Sequence, residues 1–484
     1  MKRFPLLGPR VSLRPALSKS RLPCHVNSYS KIAIAILCVA YSLLMLPHVP
    51  SFTDDSQTYI AFAPVRTAGY PLFLNLFGIR AAVALQPVLY SLALFFLACE
   101  LLRSLTAGAR HVVIVFLILL TCMGNPELNK YHAMVMTESL SMTALIWFLC
   151  VIVFFLRTAS ISAAVMASVV VGLASAIRPS AYALLVTLPI MVLFRWKALA
   201  GRRSVMLAAV LCPALSLIAI ERSATSAYHG AAATSLAGRH FFAKAGMIEA
   251  PEAAASDDAP TQLLNATLQS RYAPIRALLD VVPRWDVRDA LSESYEGCLE
   301  WSCIEDVRDS LHLPEAEMNR LALRVGLARI RRSPMAYASL VWERYRSLWT
   351  LYKVRYPDAA SVFNAFIEAH RPLPFQDRLG VSEIATPSTI GRFVRPLGLG
   401  LGFLTCGLAI IGLAAGARLQ ALDGRLAAAS LASLTVHGAF LFTAATGLGI
   451  LRYTIGMWPA MMTALALGVA WLADVSMVRA RKNG

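Results

Sequence analysis

Aspartate and glutamate are absent from the first 53 residues of this 484-residue chain. Charged residues are scarce throughout, at 15% of the whole, where a soluble chain carries about one in four. Apolar residues make up 57%, and the mean hydropathy is +0.59. A water-soluble globular fold is therefore excluded. No run alternates apolar and polar residues as a transmembrane barrel strand does, and no internal repeat is present. There is no P-loop, no G-x-S-x-G elbow and no H-E-x-x-H, so neither a nucleotide, an elbow serine nor a zinc-protease site drives the chemistry. Of nine cysteines, only Cys298 and Cys303 lie outside the apolar runs and the N-terminal tail. No second Cys/His pair stands at metal-ligand spacing.

What is there is a series of apolar stretches long enough to cross a bilayer as helix. The sequence predicts an all-α polytopic membrane protein with about ten transmembrane helices and one large, mainly helical outer domain. Spans are expected near 32–49, 82–102, 110–124, 138–156, 161–177, 180–195, 204–221, 393–416, 427–447 and 453–474. The net charge of +17 does not mark a nucleic-acid binder. Between Glu221 and Arg395, 21 basic residues balance 21 acidic ones, and the excess flanks the apolar runs. With a cytoplasmic N-terminus, 19 of those flanking basic residues fall inside and five fall in short outer connections. This is the positive-inside pattern. It divides the chain into a basic cytoplasmic tail (1–31), a seven-span module (32–221) with a first outer loop (50–81), a periplasmic domain (222–392), a three-span module (393–474) and a cytoplasmic tail (475–484). The expected location is a bacterial inner membrane, with both termini cytoplasmic and the large loop periplasmic. That compartment is oxidising, so Cys298 and Cys303, in Gly-Cys-Leu-Glu-Trp-Ser-Cys, are expected to form a local disulfide, with two thiols the alternative.

The first acids, Asp54 and Asp55, open the first outer loop. As a bland pair they would cap a helix. As functional groups they gain from their neighbours, because Tyr59 lies one helical turn beyond Asp55 and Arg66 and Tyr70 follow in the same loop. An acid, a phenol and an arginine together suit deprotonation of an acceptor beside an anionic leaving group. Five more groups are placed on the same side. Glu138 opens the fourth span and could orient an acceptor or a divalent metal. Lys130 and His132 precede it. Arg178 and Arg452, the latter followed by Tyr453, stand at outer helix ends, where guanidinium forks match a phosphate at headgroup depth. Each also has the plain reading of an interfacial cation snorkelling to water. Arg239, His240 and Lys244 form a looser basic group, with Phe241 and Phe242 able to enter the interface.

The stretch Asp55-Ser56-Gln57-Thr58-Tyr59, then Arg66, then Gly69-Tyr70-Pro71-Leu72-Phe73-Leu74, resembles the first outer loop of the GT-C superfamily of integral-membrane glycosyltransferases. The similar members are the protein O-mannosyltransferases and the lipid A aminoarabinose transferases. Thr137-Glu138-Ser139, Ile177-Arg178-Pro179 and Arg452-Tyr453 extend the resemblance over about the first 200 and last 50 residues. It implies a polyprenyl-phosphate sugar donor, a lipid, glycan or protein acceptor, an inverting transfer with Asp55 or Asp54 as general base, and arginines on the departing phosphate. No organic cofactor is implied. Two readings compete. A transporter or flippase would show two pseudo-symmetric halves, and an O-antigen ligase or polymerase would share the large outer loop but not the first-loop motif.

Overall fold

The computed structural model describes residues 24–53, 55–104, 109–230, 233–248, 258–281, 292, 295–297, 299–349, 389–417, 423–447 and 451–483. Asp54 and Cys298 lie outside them, and so do the side chains of Arg452 and of several helix ends. Among the described residues there is no strand, and one isolated parallel bridge joins Ser51 to Met134.

The chain runs as α1 (Cys24–Leu44), the short α2 (Ser56–Ile60) and α3 (Gly69–Phe77) of the first loop, and α4 (Ile79–Ser104). Then come α5 (Ala109–Met123), α6 (Pro126–Asn129), α7 (Glu138–Thr158), α8 (Ile161–Ile177), α9 (Leu184–Phe194) and α10 (Arg203–His229). A polar stretch follows with α11 (Ala237–Gly246), α12 (Ala259–Val281), α13 (Ile304–Leu311), α14 (Glu315–Arg332) and α15 (Pro334–Leu348). The chain closes with α16 (Thr389–Ala417), α17 (Gly424–Thr446), α18 (Leu451–Gly456) and α19 (Trp458–Asn483).

Six helices are long and apolar enough to cross a membrane: α4, α7, α10, Leu397–Gly416 of α16, α17 and Trp458–Met477 of α19. The pair His111–Met123 and Pro126–His132 meets the same test together, bent by 56°. The bend has a local cause. Pro126 starts a new helix, and the Asn125 carboxamide oxygen accepts the Glu127 and Leu128 N–H groups as its cap. Shorter apolar helices run over Ser28–Leu44, Ile161–Ile177 and Pro179–Phe194. The apolar runs expected from the sequence thus all fall on helices, and several of those helices can cross a membrane.

One continuous core joins α1, α4, α5, α7, α8, α9, α10, α17 and α19. α7 lies at its centre, with 78% of its most apolar window buried against 28% for α10. On α1, Ile32, Ile36, Val39 and Leu43 are each more than half exposed, at spacings of three and four. An outward apolar stripe of that kind is suited to hydrocarbon and costly in water.

The polar stretch has its own smaller core, in which Phe242, Leu264, Leu268, Leu299, Cys303, Ile304, Met318, Ala322 and Val325 meet. The mainly helical character expected of the outer stretch appears at its end as two helices, α14 and α15, because Pro334 begins α15 afresh. α11 and α14 cross closely at two glycines. A Cβ on Gly238 would stand 2.0 Å from the Asn319 carbonyl oxygen, and one on Gly326 would stand 2.9 Å from the Phe241 backbone. α15 then runs antiparallel along α17. The Tyr337 hydroxyl donates to the Ala445 carbonyl, Tyr345 meets His437 one helical stretch further in, and Trp349 packs edge-on against Phe440. The Trp349 ring occupies the gap left by Gly402 of α16.

Candidate active site

The first loop is fixed to the bundle before its functional groups are considered. The Ser51 N–H donates to the Ala133 carbonyl (2.7 Å), and the Val135 N–H donates back to Ser51 (2.9 Å). Ser56 is fully buried. Its hydroxyl donates to the Val135 carbonyl and accepts the Thr53 N–H, which closes the turn into α2. α3 starts at Gly69 because nothing larger fits: a Cβ there would lie 2.6 Å from the Ala176 carbonyl oxygen at the end of α8. Thr67 donates to the Ile177 carbonyl (3.1 Å), and the Ala68 N–H donates to Glu221 at the end of α10 (2.9 Å). The loop corner at Phe62 has a φ of 45°, in the region that favours glycine. Its ring is stacked on Tyr228 and meets the edge of His229, both from α10. These contacts bring the first loop over the ends of α7, α8 and α10.

Arg66 is the centre of the loop. Its Nε donates to the Thr58 hydroxyl (2.8 Å), its Nη1 to the Tyr59 hydroxyl (3.1 Å) and its Nη2 to Asp55 Oδ1 (2.6 Å). Thr58 in turn donates to the Asp55 carbonyl (2.6 Å). The Asp55 side chain therefore does not cap α2; it faces Arg66. Of the five guanidinium N–H groups, three are used to hold Arg66 in place. Tyr59 is buried, with Tyr70 edge-on at 5.3 Å between ring centres. Burial above all pushes the Tyr59 phenol above its ordinary value, Glu138 adds to the rise, and Arg66 and Arg178 oppose it. The phenol thus stays protonated at neutral pH and senses both arginines.

A second ion pair lies within electrostatic reach of Tyr59. Arg178 Nη1 is 3.0 Å from Glu138 Oε1, and the Arg178 guanidinium sits 4.6 Å above the Tyr453 ring. Glu138 is at the first turn of α7, Arg178 ends α8 and Tyr453 is on α18. The two pairs differ in exposure. The side chains of Asp55 and Arg66 are 32% and 16% exposed, those of Glu138 and Arg178 only 3% and 14%.

The structure therefore brings Asp55, Tyr59, Arg66, Tyr70, Glu138, Arg178 and Tyr453 together. It places Lys130 and His132 differently. Lys130 pairs with Glu127 in an exposed turn. His132 is buried, with one ring nitrogen against the Tyr41 hydroxyl (3.0 Å) and the other against Ser139 (2.7 Å). It ties α1 to α7 beneath Glu138. The looser group of Arg239, His240 and Lys244 is held inside the polar stretch. Arg239 is gripped by Glu305 and Glu315, His240 lies 3.1 Å from Glu300 and Lys244 lies 2.7 Å from Glu296, while Phe242 is core. Arg452 starts a helix beside Tyr453, but its side chain lies outside the described residues, as do Asp54 and the expected Cys298 partner of buried Cys303.

Sequence reasoning missed Thr58, Glu221 and the Phe62, Tyr228 and His229 rings. Thr58 had a usable signal, since it lies between Asp55 and Tyr59 in the loop motif. Glu221 ended an apolar run and looked like a boundary charge. No three or more His, Cys, Asp or Glu side chains among the described residues are grouped as a metal site. No family model, curated protein or solved structure matches the chain.

Proposed function

We propose that this protein is a membrane glycosyltransferase. In this reading it moves a sugar from a polyprenyl-phosphate donor to an acceptor at the periplasmic face of a bacterial inner membrane. The ten apolar helices are its spans, the polar stretch 222–392 is its outer domain, and both termini are cytoplasmic. One observation carries the reading: an acid, a phenol and an arginine of the first loop meet a second arginine from the end of α8, near the ends of apolar helices, where a lipid-borne phosphate would sit.

The chemistry balances with these groups alone. The acceptor hydroxyl oxygen attacks the anomeric carbon as its proton passes to Asp55, or to the adjacent Asp54. The bond from that carbon to the phosphate oxygen breaks, and its electron pair leaves with the phosphate. A single displacement inverts the configuration. Arg66 faces the negative charge that develops on the phosphate, and protonated Tyr59 can donate a hydrogen bond to it. Arg178 and Arg452 are further phosphate partners, and Glu138 orients Arg178.

The test is to purify the protein in mild detergent and identify the co-purifying lipid by mass spectrometry, then to assay sugar transfer by wild type and Asp55→Asn. A polyprenyl-phosphate sugar that is consumed by wild type supports the reading. A preparation that carries no such lipid and transfers no sugar from one ends it. The transporter reading has one observation in its favour, the bent pair at Asn125, but no matching break in a second half is present among the described residues.

A further inference from the structure

Arg66 has two jobs that compete. It is the open guanidinium of the site, yet Asp55, the group assigned to take the acceptor proton, already occupies its Nη2 at 2.6 Å. A carboxylate this close both neutralises the cation that should attract phosphate and has its own charge stabilised, which makes it a reluctant proton acceptor. The site as it stands is poised neither to hold a phosphate strongly nor to remove a proton.

The two ion pairs decide which one can give way. Glu138 is 3% exposed, so separating it from Arg178 would strand a buried charge. Asp55 is 32% exposed and can be rehydrated when its partner leaves. The Arg66 backbone is held by the loop: its N–H donates to the Ala63 carbonyl, within the turn that the Phe62 corner closes. Its side chain also donates to two acceptors other than the acid, the Thr58 and Tyr59 hydroxyls. Arg66 can therefore lose Asp55 and stay in place.

We propose that Asp55 is an internal competitor for the phosphate site, displaced from Arg66 by the donor's phosphate and armed as a base by that displacement. The proposal rests on the reading of this cluster as the site for a phosphorylated lipid donor. Its consequence is an order of events. The donor binds first, its phosphate takes the Arg66 fork, and Asp55 turns to the acceptor as a freed carboxylate. Water or a stray acceptor that arrives before the donor meets a base already engaged. The Glu138–Arg178 pair stays closed and keeps Arg178 within electrostatic reach of Tyr59.

The signs are opposite to those of a merely supportive acid, so binding alone tests the idea. Farnesyl phosphate serves as the probe, with farnesol as the control for the tail, on the full-length protein in detergent. Asp55→Asn should bind farnesyl phosphate about tenfold or more tightly than wild type. Farnesol binding should not change. Asp54→Asn removes the same charge one residue away while Asp55 keeps its hold on Arg66, and should gain little. Arg66→Gln should lose the preference for the phosphate over the alcohol. Asp55→Ser repeats the Asp55→Asn measurement should the first variant be unstable. Equal or weaker binding by both Asp55 variants overturns the competitor role while wild-type binding leaves the donor reading standing. An equal gain in Asp54→Asn also overturns it, because simple loss of negative charge would then be sufficient. No phosphate preference in wild type or any variant overturns both.

Discussion

Asp55 and Glu138 are two acids in one cluster with different surroundings, and replacing them should give different phenotypes. In the proposed mechanism Asp55→Asn keeps the shape and removes the proton acceptor. Loss of a general base lowers rate by about 10²–10⁴-fold, so sugar transfer should fall by that factor while the thermal unfolding midpoint stays near wild type. Glu138→Gln acts on stability instead. It takes from Arg178, 14% exposed, the carboxylate 3.0 Å away, and removing one member of a buried pair costs about 3–5 kcal/mol. A clear drop in the detergent unfolding midpoint should follow, with partial recovery in the Glu138→Gln/Arg178→Met double variant, where no charge is stranded. His240 allows a signed pH prediction. Burial presses its imidazole toward the neutral form, but Glu300 outweighs this and the net shift is upward. A group whose folded value is raised contributes fully below its unfolded value, near 6.5, and the contribution is lost as pH rises through the folded value. The midpoint difference between wild type and His240→Gln should therefore be largest on the acid side and shrink toward alkaline pH.

At the scale of elements, the first loop works because α3 can touch α8. Gly69→Ala puts a Cβ 2.6 Å from the Ala176 carbonyl, against backbone that cannot swing aside. α3 must move away, and Arg66 moves with it relative to Arg178. A displacement near 1 Å costs about 10²-fold in rate when a site depends on alignment; the expected result is that loss of transfer with expression and membrane insertion retained. Here the limits of the sequence are clear. The apolar runs were legible because hydrocarbon burial imposes length and composition on every span. The grouping of Asp55, Tyr59 and Arg66 was legible because they share one short loop. The meeting of Glu138 with Arg178, and of Arg178 with Tyr453, was visible only as a shared side of the membrane, since their distance depends on how α7, α8 and α18 pack. The surroundings of His132 were hidden from the sequence for a related reason. Polar residues near a span end look alike in sequence, and only the positions of Tyr41 and Ser139 make this one a buried link between helices.

For the whole molecule, reporter fusions at residues 200 and 300 should give opposite signals if the polar stretch is outside and the connection after α9 is inside; equal signals would refute the ten-span arrangement. The lopsided order of the chain, with the polar stretch placed before the last three apolar helices, has a further consequence at α15. Trp349 rests in the gap at Gly402, Tyr345 meets His437, and Thr454 donates to the Leu348 carbonyl. All three receiving residues are translated after α15. A nascent chain that has just completed its polar stretch has no seat for those aromatic rings until α16 and α17 emerge from the ribosome. For that interval the half-made protein exposes a Trp–Tyr surface that a finished molecule conceals. Premature termination between α15 and α16 would make the interval permanent, and the truncated product would be a natural substrate for membrane quality-control proteases rather than a stable fragment.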